Sequence, residues 1–334
     1  MAEGLDAAKA LESNRVVAST SATYLSRINK MKAYFTEEFP QDMDDEGEFI
    51  MPMHVDHVLA FFGFISCWRQ GEGGGDEGQL KSVSHMGGYR SALVDHYKIR
   101  HKRKLEPELD TRLSALLSGF KRRVAQAKQT GTMKITEGKQ PITFAGYRML
   151  ADLLFRGSNF NVATFSWPFL LLCWCLMARS NSVANIMFQH ISWEMDSLVV
   201  QFAQHKGDKE GQVRFGRHVY ANPGDPKICP VLAVAVLTFS KTYRGAGGRQ
   251  QLFEGAKAES RFSDILLSTI DKLNDGQLMI LGVDKKDIGT HSCRKGCPSY
   301  LLGIVDGPDP VKVYLRAGWS LGNVQDRYIY EGTA

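Results

Sequence analysis

The longest apolar stretch in this chain is Phe165–Ala178, fourteen residues that include two tryptophans and Pro168. A helix needs about 20 apolar residues to cross a bilayer, so this segment is too short to span one. A helix that is apolar on every side has to be buried instead. The stretch therefore reads as a buried core helix ending near Met177, and other elements must cover it. The chain has 334 residues, of which 43% are hydrophobic and 23% charged. That is enough to bury such a helix without disulfide or metal staples, and it favours two domains of ordinary size.

Residues 1–20 read as a flexible N-terminus. Tyr24, Leu25, Ile28, Met31 and Phe35 then recur at helical spacing, with Ser19, Thr20 and Ser21 as candidate N-caps just before them. A second helix runs through Val55, Val58, Leu59, Phe62 and Ile65. The stretch Gly71–Gly78 is a glycine-rich connector. A third helix covers Val83–Ile99, and a fourth has Leu113, Leu116, Leu117, Phe120 and Val124 on one face. Residues 21–130 thus form an all-helical domain, 131–140 a linker, and 141–334 a second domain. In that second domain Ser197–Gln204 and Gln212–Tyr220 read as a β-hairpin with a charged tip at Lys206–Lys209, and helices resume from Pro230. The expected class is mainly α with a small antiparallel β-hairpin.

The net charge is +5, a weak pointer to a polyanion. Position says more. Lys98, Arg100, Lys102, Arg103 and Lys104 cluster at the end of the third helix, and Lys121, Arg122, Arg123 and Lys128 lie along the fourth. Such runs are most often solvated faces; in a domain that holds DNA they would contact its phosphates. The six cysteines make no C-x-x-C pair and match no zinc spacing, and no signal peptide is visible. Free thiols in a reducing compartment are expected, hence a protein that is not secreted and needs no cofactor or metal.

Five segments of the second domain belong together chemically. They are Ala178-Arg179-Ser180, His205 to Lys209, Thr290 to Gly296 with His291, Arg294 and Lys295, Gly318-Trp319-Ser320, and Asp326-Arg327-Tyr328. Cutting a phosphodiester with a protein nucleophile builds a highly charged pentavalent transition state. Two guanidinium groups suit its non-bridging oxygens. A lysine with a lowered pKa can protonate the leaving oxygen, and a tyrosine can attack if its proton is drawn off. His291 and Arg294 are three apart and share a helix face.

Here the sequence resembles the tyrosine recombinases of the phage-integrase type. That family orders an Arg, a Lys on a β-hairpin, a His-x-x-Arg pair, a His or Trp, and a Tyr about nine residues further on. Arg179, Lys206, His291, Arg294, Trp319 and Tyr328 fall on those positions. The wording of Thr290–Gly296 is similar to that of recombinases of eukaryotic mobile elements such as Cryptons. The resemblance implies a helical core-binding domain plus a catalytic domain, clamped around double-stranded DNA. It implies a 3′-phosphotyrosine intermediate, and four protomers on paired sites from a monomer or dimer in the free state. The compartment would be nuclear in a eukaryote and cytoplasmic otherwise, with no membrane partner. Two departures stand out. Ser182 occupies a position where the family has Glu or Asp. The sequence also ends six residues after Tyr328, short of the family's docking helix, as a truncated chain would.

Alternatives stay open at this level. Lys209 rivals Lys206, and Tyr330 rivals Tyr328. Arg179 is also the kind of cation that caps a helix C-terminus, and Trp319 the kind of residue that fills a core. Lys295 is a further candidate phosphate contact. A type IB topoisomerase would use the same chemistry, and a domesticated, inactive DNA-binding protein would use none of it.

Overall fold

The computed structural model describes residues 17–68, 78–136, 138–157, 159–203, 216–240 and 250–319, with the isolated residues Gly4, Asp6 and Leu11. The chain divides into two compact units, Met1–Glu137 and Gly138–Ala334.

Among the described residues the first unit contains four α-helices: α1 (Ala18–Glu38), α2 (Val55–Phe64), α3 (Val83–Arg100) and α4 (Pro107–Gln129). On α4, Leu109, Leu113, Phe120 and Val124 are buried, a spacing that keeps them on one face. Pro107 opens the helix, where its missing N–H is no loss, and Glu108 and Asp110 complement the positive end. The Ser82 hydroxyl caps α3 by accepting from the His85 N–H at 3.1 Å. Helix α1 packs on α3, and α4 packs on α2 and α3. Phe35, Phe61, Phe62, Met86 and Tyr97 fill the space between them. Two expectations fail at the start of α1. The helix begins at Ala18 with Val17 as its uncapped boundary, so Ser19, Thr20 and Ser21 lie inside the first turn. Leu25 is 61% exposed, because it lies off the face on which Ile28, Met31 and Phe35 are buried and Tyr24 packs against the core.

The second unit is built on α6 (Phe160–Cys175), which extends the apolar run backward by one turn and contains Pro168. Asn159 caps it, accepting from the Val162 N–H at 3.2 Å. Trp167, Phe169, Leu170, Leu171, Leu172 and Cys173 are each at most 1% exposed. Around α6 pack α5 (Phe144–Phe155), α7 (Ser180–Ala184), α8 (Pro230–Phe239), α9 (Ala258–Asp271) and α11 (Thr290–Gly303). The short α10 (Asp275–Leu281) lies against α5, and α12 (Pro310–Ala317) against α11. Among the described residues no helix is long and apolar enough to cross a membrane.

The sheet has three antiparallel strands in the order β1-β2-β3: β1 (Ile191–Glu194), β2 (Ser197–Val200) and β3 (Arg217–Tyr220). Ser197 pairs with Tyr220 and Val200 with Arg217, the pairing expected of the hairpin. The strand β1 was not expected, and it pairs Ile191 with Val200. The chain thus has the mainly helical architecture with a small antiparallel sheet that its sequence implies.

Candidate active site

The C-terminal end of α6 organises the site. The last four carbonyls of a helix have no partner within it. Met177 is left-handed, with φ +46°. Its N–H bonds to Trp174 O at 3.0 Å, and the Ala178 N–H bonds to Cys173 O at 3.2 Å. This is a Schellman turn, which satisfies two of the carbonyls and stops the helix sharply. The next three carbonyls are taken by three arginines from three other elements. Arg316 on α12 donates to Cys175 O at 3.0 Å. Arg217 on β3 donates to Leu176 O at 2.5 Å. Arg294 on α11 donates to Met177 O at 2.8 Å. The negative end of the helix dipole favours cations here.

Arg294 also donates to Ala317 O at 2.5 Å, which ties α11 to the end of α12. Arg316 reaches His218 O at 2.6 Å, which ties α12 to the sheet. Arg294 is 6% exposed. Burial, and then the neighbouring Arg179 guanidinium, pull its pKa down to about 10. Arg179, half-buried as the N-cap residue of α7, is lowered by burial as well. Both remain charged at neutral pH. Among the described residues no carboxylate pairs with either. The cysteines packed behind them cannot supply the missing charge, because burial pushes the Cys293 and Cys297 thiols up to about 12. Two like charges in a partly desolvated place, one of them held by the neutral carbonyls of Met177 and Ala317, form a site for an anion.

His291 lies in the first turn of α11, exposed, while Arg294 on the next turn is buried. The close approach of α11 depends on Gly296. A Cβ there would stand 2.5 Å from Ile142 O and 2.7 Å from the Trp174 ring. Trp319 follows α12 across Gly318, which is left-handed at φ +64°. The Trp319 N–H bonds to Tyr314 O at 2.9 Å, and its half-buried ring packs on the core, 5.5 Å from the Tyr314 ring. Trp319 thus has the packing role its residue type suggests. Lys206 and Tyr328, with their rivals Lys209 and Tyr330, lie outside the described residues.

Of the other expected contacts, Lys98, Arg100, Lys102, Arg103, Lys104, Lys121, Arg122 and Arg123 are all exposed on the first unit. Arg100 lies 3.8 Å from Glu48. Lys128 is half-buried at the end of α4. In the second unit Lys295 is half-buried and donates to Lys139 O at 2.5 Å.

Sequence reasoning missed Arg217, Arg316 and Glu259. Glu259, in the first turn of α9, accepts from the Ser180 hydroxyl at 2.6 Å and from the Asn181 amide at 3.1 Å. Ser182 makes no side-chain hydrogen bond among the described residues. None of the three missed residues lies in a recognisable motif, and each acts on a segment distant in the sequence.

No family model matches the sequence, and no curated protein matches it. Solved structures do. The integrase of the Tn1549 transposon, in complex with circular intermediate DNA, matches with a TM-score of 0.55 at 13% identity, over 98% of this chain and 94% of that one. A lambda integrase dimer bound to a core site matches with a TM-score of 0.51 at 12% identity, over 96% and 74%. The XerH site-specific recombinase bound to its difH substrate matches with a TM-score of 0.50 at 13% identity, over 90% and 73%. At such identities the likeness is one of architecture, and the fold of this chain is that of the tyrosine recombinases and integrases.

Proposed function

We propose that this protein is a site-specific DNA recombinase that cuts and rejoins strands through a covalent tyrosine intermediate. The observation that carries the reading is the neighbouring pair of Arg179, half-buried, and Arg294, buried, with no carboxylate paired to either among the described residues. In this reading the two guanidinium groups bind the non-bridging oxygens of the scissile phosphate, and His291 lies beside them. The Tyr328 hydroxyl gives up its proton to solvent as its oxygen attacks phosphorus, and the 5′-oxygen leaves, taking a proton from Lys206. The products are a 3′-phosphotyrosine and a free 5′-hydroxyl. A 5′-hydroxyl from a second strand then attacks the adduct, and the tyrosine oxygen departs and regains a proton. The phosphodiester energy is kept in the adduct, so no ATP is consumed. Charge stabilisation comes from the arginines, so the step is expected to run in EDTA.

Lys98, Arg100, Lys102, Arg103, Lys104, Lys121, Arg122, Arg123 and Lys128 in the first unit, and Lys295 in the second, contact the DNA backbone in this reading. Four protomers assemble on two sites. Neutralising Lys121, Arg122 and Arg123 one at a time would lower the salt dependence of DNA binding by about one unit each.

The test is covalent trapping. Nicked duplexes drawn from DNA flanking the protein's own gene are incubated with it in EDTA and run on denaturing gels. Wild type is expected to give a protein–DNA adduct and Tyr328→Phe none. An adduct that survives in Tyr328→Phe and disappears in Tyr330→Phe would move the nucleophile. Bound DNA that never gives an adduct would favour an inactive DNA-binding protein.

A further inference from the structure

We propose that Glu259 is a positioning residue for the arginine pair, a clamp that sets where Arg179 stands. The inference rests on the recombinase reading of the site. Arg179 is the N-cap residue of α7, a helix of only five residues. So short a helix cannot hold its own start in place. None of its first residues has an acidic side chain, and Arg179 makes no side-chain cap bond. What fixes the turn is the Glu259 carboxylate, which reaches in from α9. One oxygen takes the Ser180 hydroxyl at 2.6 Å and the other takes the Asn181 amide at 3.1 Å. These are the two residues that follow Arg179.

The clamp extends further. The Ser180 hydroxyl also lies 3.4 Å from Thr290 Oγ1, and Thr290 is the first residue of α11, next to His291. Ser180 is 1% exposed, so its side of the junction is dry, while Asn181 stands at the solvent edge. Hydrogen bonds to a charged acceptor are stronger than neutral ones, and more so out of water. One carboxylate thus links the starts of the two helices that carry Arg179 and His291–Arg294. Among the described residues Glu259 forms no ion pair with Arg179 or Arg294, which leaves the guanidinium charge for an anion.

The chemistry of the clamp predicts which substitutes work. Gln in place of Glu keeps the shape but offers one acceptor and one donor. Its N–H₂ would either meet the Asn181 amide, another donor, or turn the Ser180 hydroxyl into an acceptor, and in both cases the charge-assisted bonds are lost. Asp is one methylene shorter and cannot span both donors.

The experiment compares wild type, Glu259→Gln, Glu259→Asp, Ser180→Ala and the double variant Ser180→Ala/Glu259→Gln in full-length protein, with thermal melts to establish that each is folded. Two quantities are read on the trapping duplex: the equilibrium dissociation constant, and the single-turnover rate of adduct formation at saturating protein. Glu259→Gln is expected to slow the adduct step by about 10- to 100-fold, the effect of a small misplacement of a catalytic group. Its DNA affinity is expected to stay within about twofold of wild type, because most affinity comes from phosphate contacts elsewhere. Glu259→Asp is expected to be slowed as well, and the double variant no slower than the slower single one. An unchanged rate in Glu259→Gln overturns the clamp while the recombinase reading stands. A rate and an affinity that fall together overturn it too, since that marks general damage. No adduct from wild type overturns the recombinase reading and the clamp's catalytic role with it.

Discussion

The two units handle their cations differently. In the first, basic side chains meet carboxylates: Lys32 with Glu48, Arg90 with Asp110, and Arg112 with Asp56, each at 2.7 Å. In the second, such pairs also occur at partly exposed positions, as with Arg148 and Asp225 at 2.8 Å. At the end of α6, Arg217, Arg294 and Arg316 take backbone carbonyls, and among the described residues no carboxylate pairs with Arg294 or Arg316. A carboxylate partner cancels a charge, whereas a carbonyl orients it and leaves it intact. The first arrangement suits a scaffold. The second suits a place where positive charge has to meet a ligand.

The contrast can be broken most sharply at Arg294. Arg294→Lys keeps a charge but loses the planar fork that spans Met177 O and Ala317 O. Adduct formation is expected to fall by about 10²- to 10³-fold, the loss typical of one oxyanion donor. A single-turnover assay that found less than a tenfold change would mean that charge alone matters there. Next in size is Arg316→Met, which leaves Cys175 O and His218 O without their donor. Urea unfolding is expected to show a loss of about 1–3 kcal/mol, and a loss under about 0.5 kcal/mol would mean that these carbonyls find water instead. The smallest effect belongs to the first unit. The Arg90 and Asp110 side chains are 37% and 49% exposed, and Arg90→Ala is expected to cost less than about 1 kcal/mol. If Arg90→Ala proved more costly than Arg316→Met, the distinction between the two kinds of pairing would fail.

Much of this was legible in the sequence, for stated reasons. Helices α2 and α4 announce themselves through an apolar stripe at helical spacing, and α6 through its unbroken apolar character. Arg179 and Arg294 could be named because they lie in short segments with a family order. What was hidden has a physical cause. Strand β1 has four residues, three of them exposed. It turns into β2 through Met195, left-handed at φ +52°, where no glycine or asparagine marks the turn. Ser180 and Glu259 are 79 positions apart, and their contact exists only once α7 and α9 both pack on α6. Arg217 and Arg316 carry no signal because their partners are backbone carbonyls, which every residue has.

The end of α6 has one more consequence. Its three carbonyls follow directly on the buried run Trp167–Trp174, so the cations hang from the hydrophobic core like weights from a single beam. A small slide or tilt of that beam displaces all three together. Substitutions that leave every charged residue untouched should therefore tune the chemistry. Leu171 and Leu172 are both 0% exposed, and replacing either with Met would loosen the beam without opening a large cavity. Conditional forms of this protein, active when cool and idle when warm, are best sought there rather than among the arginines.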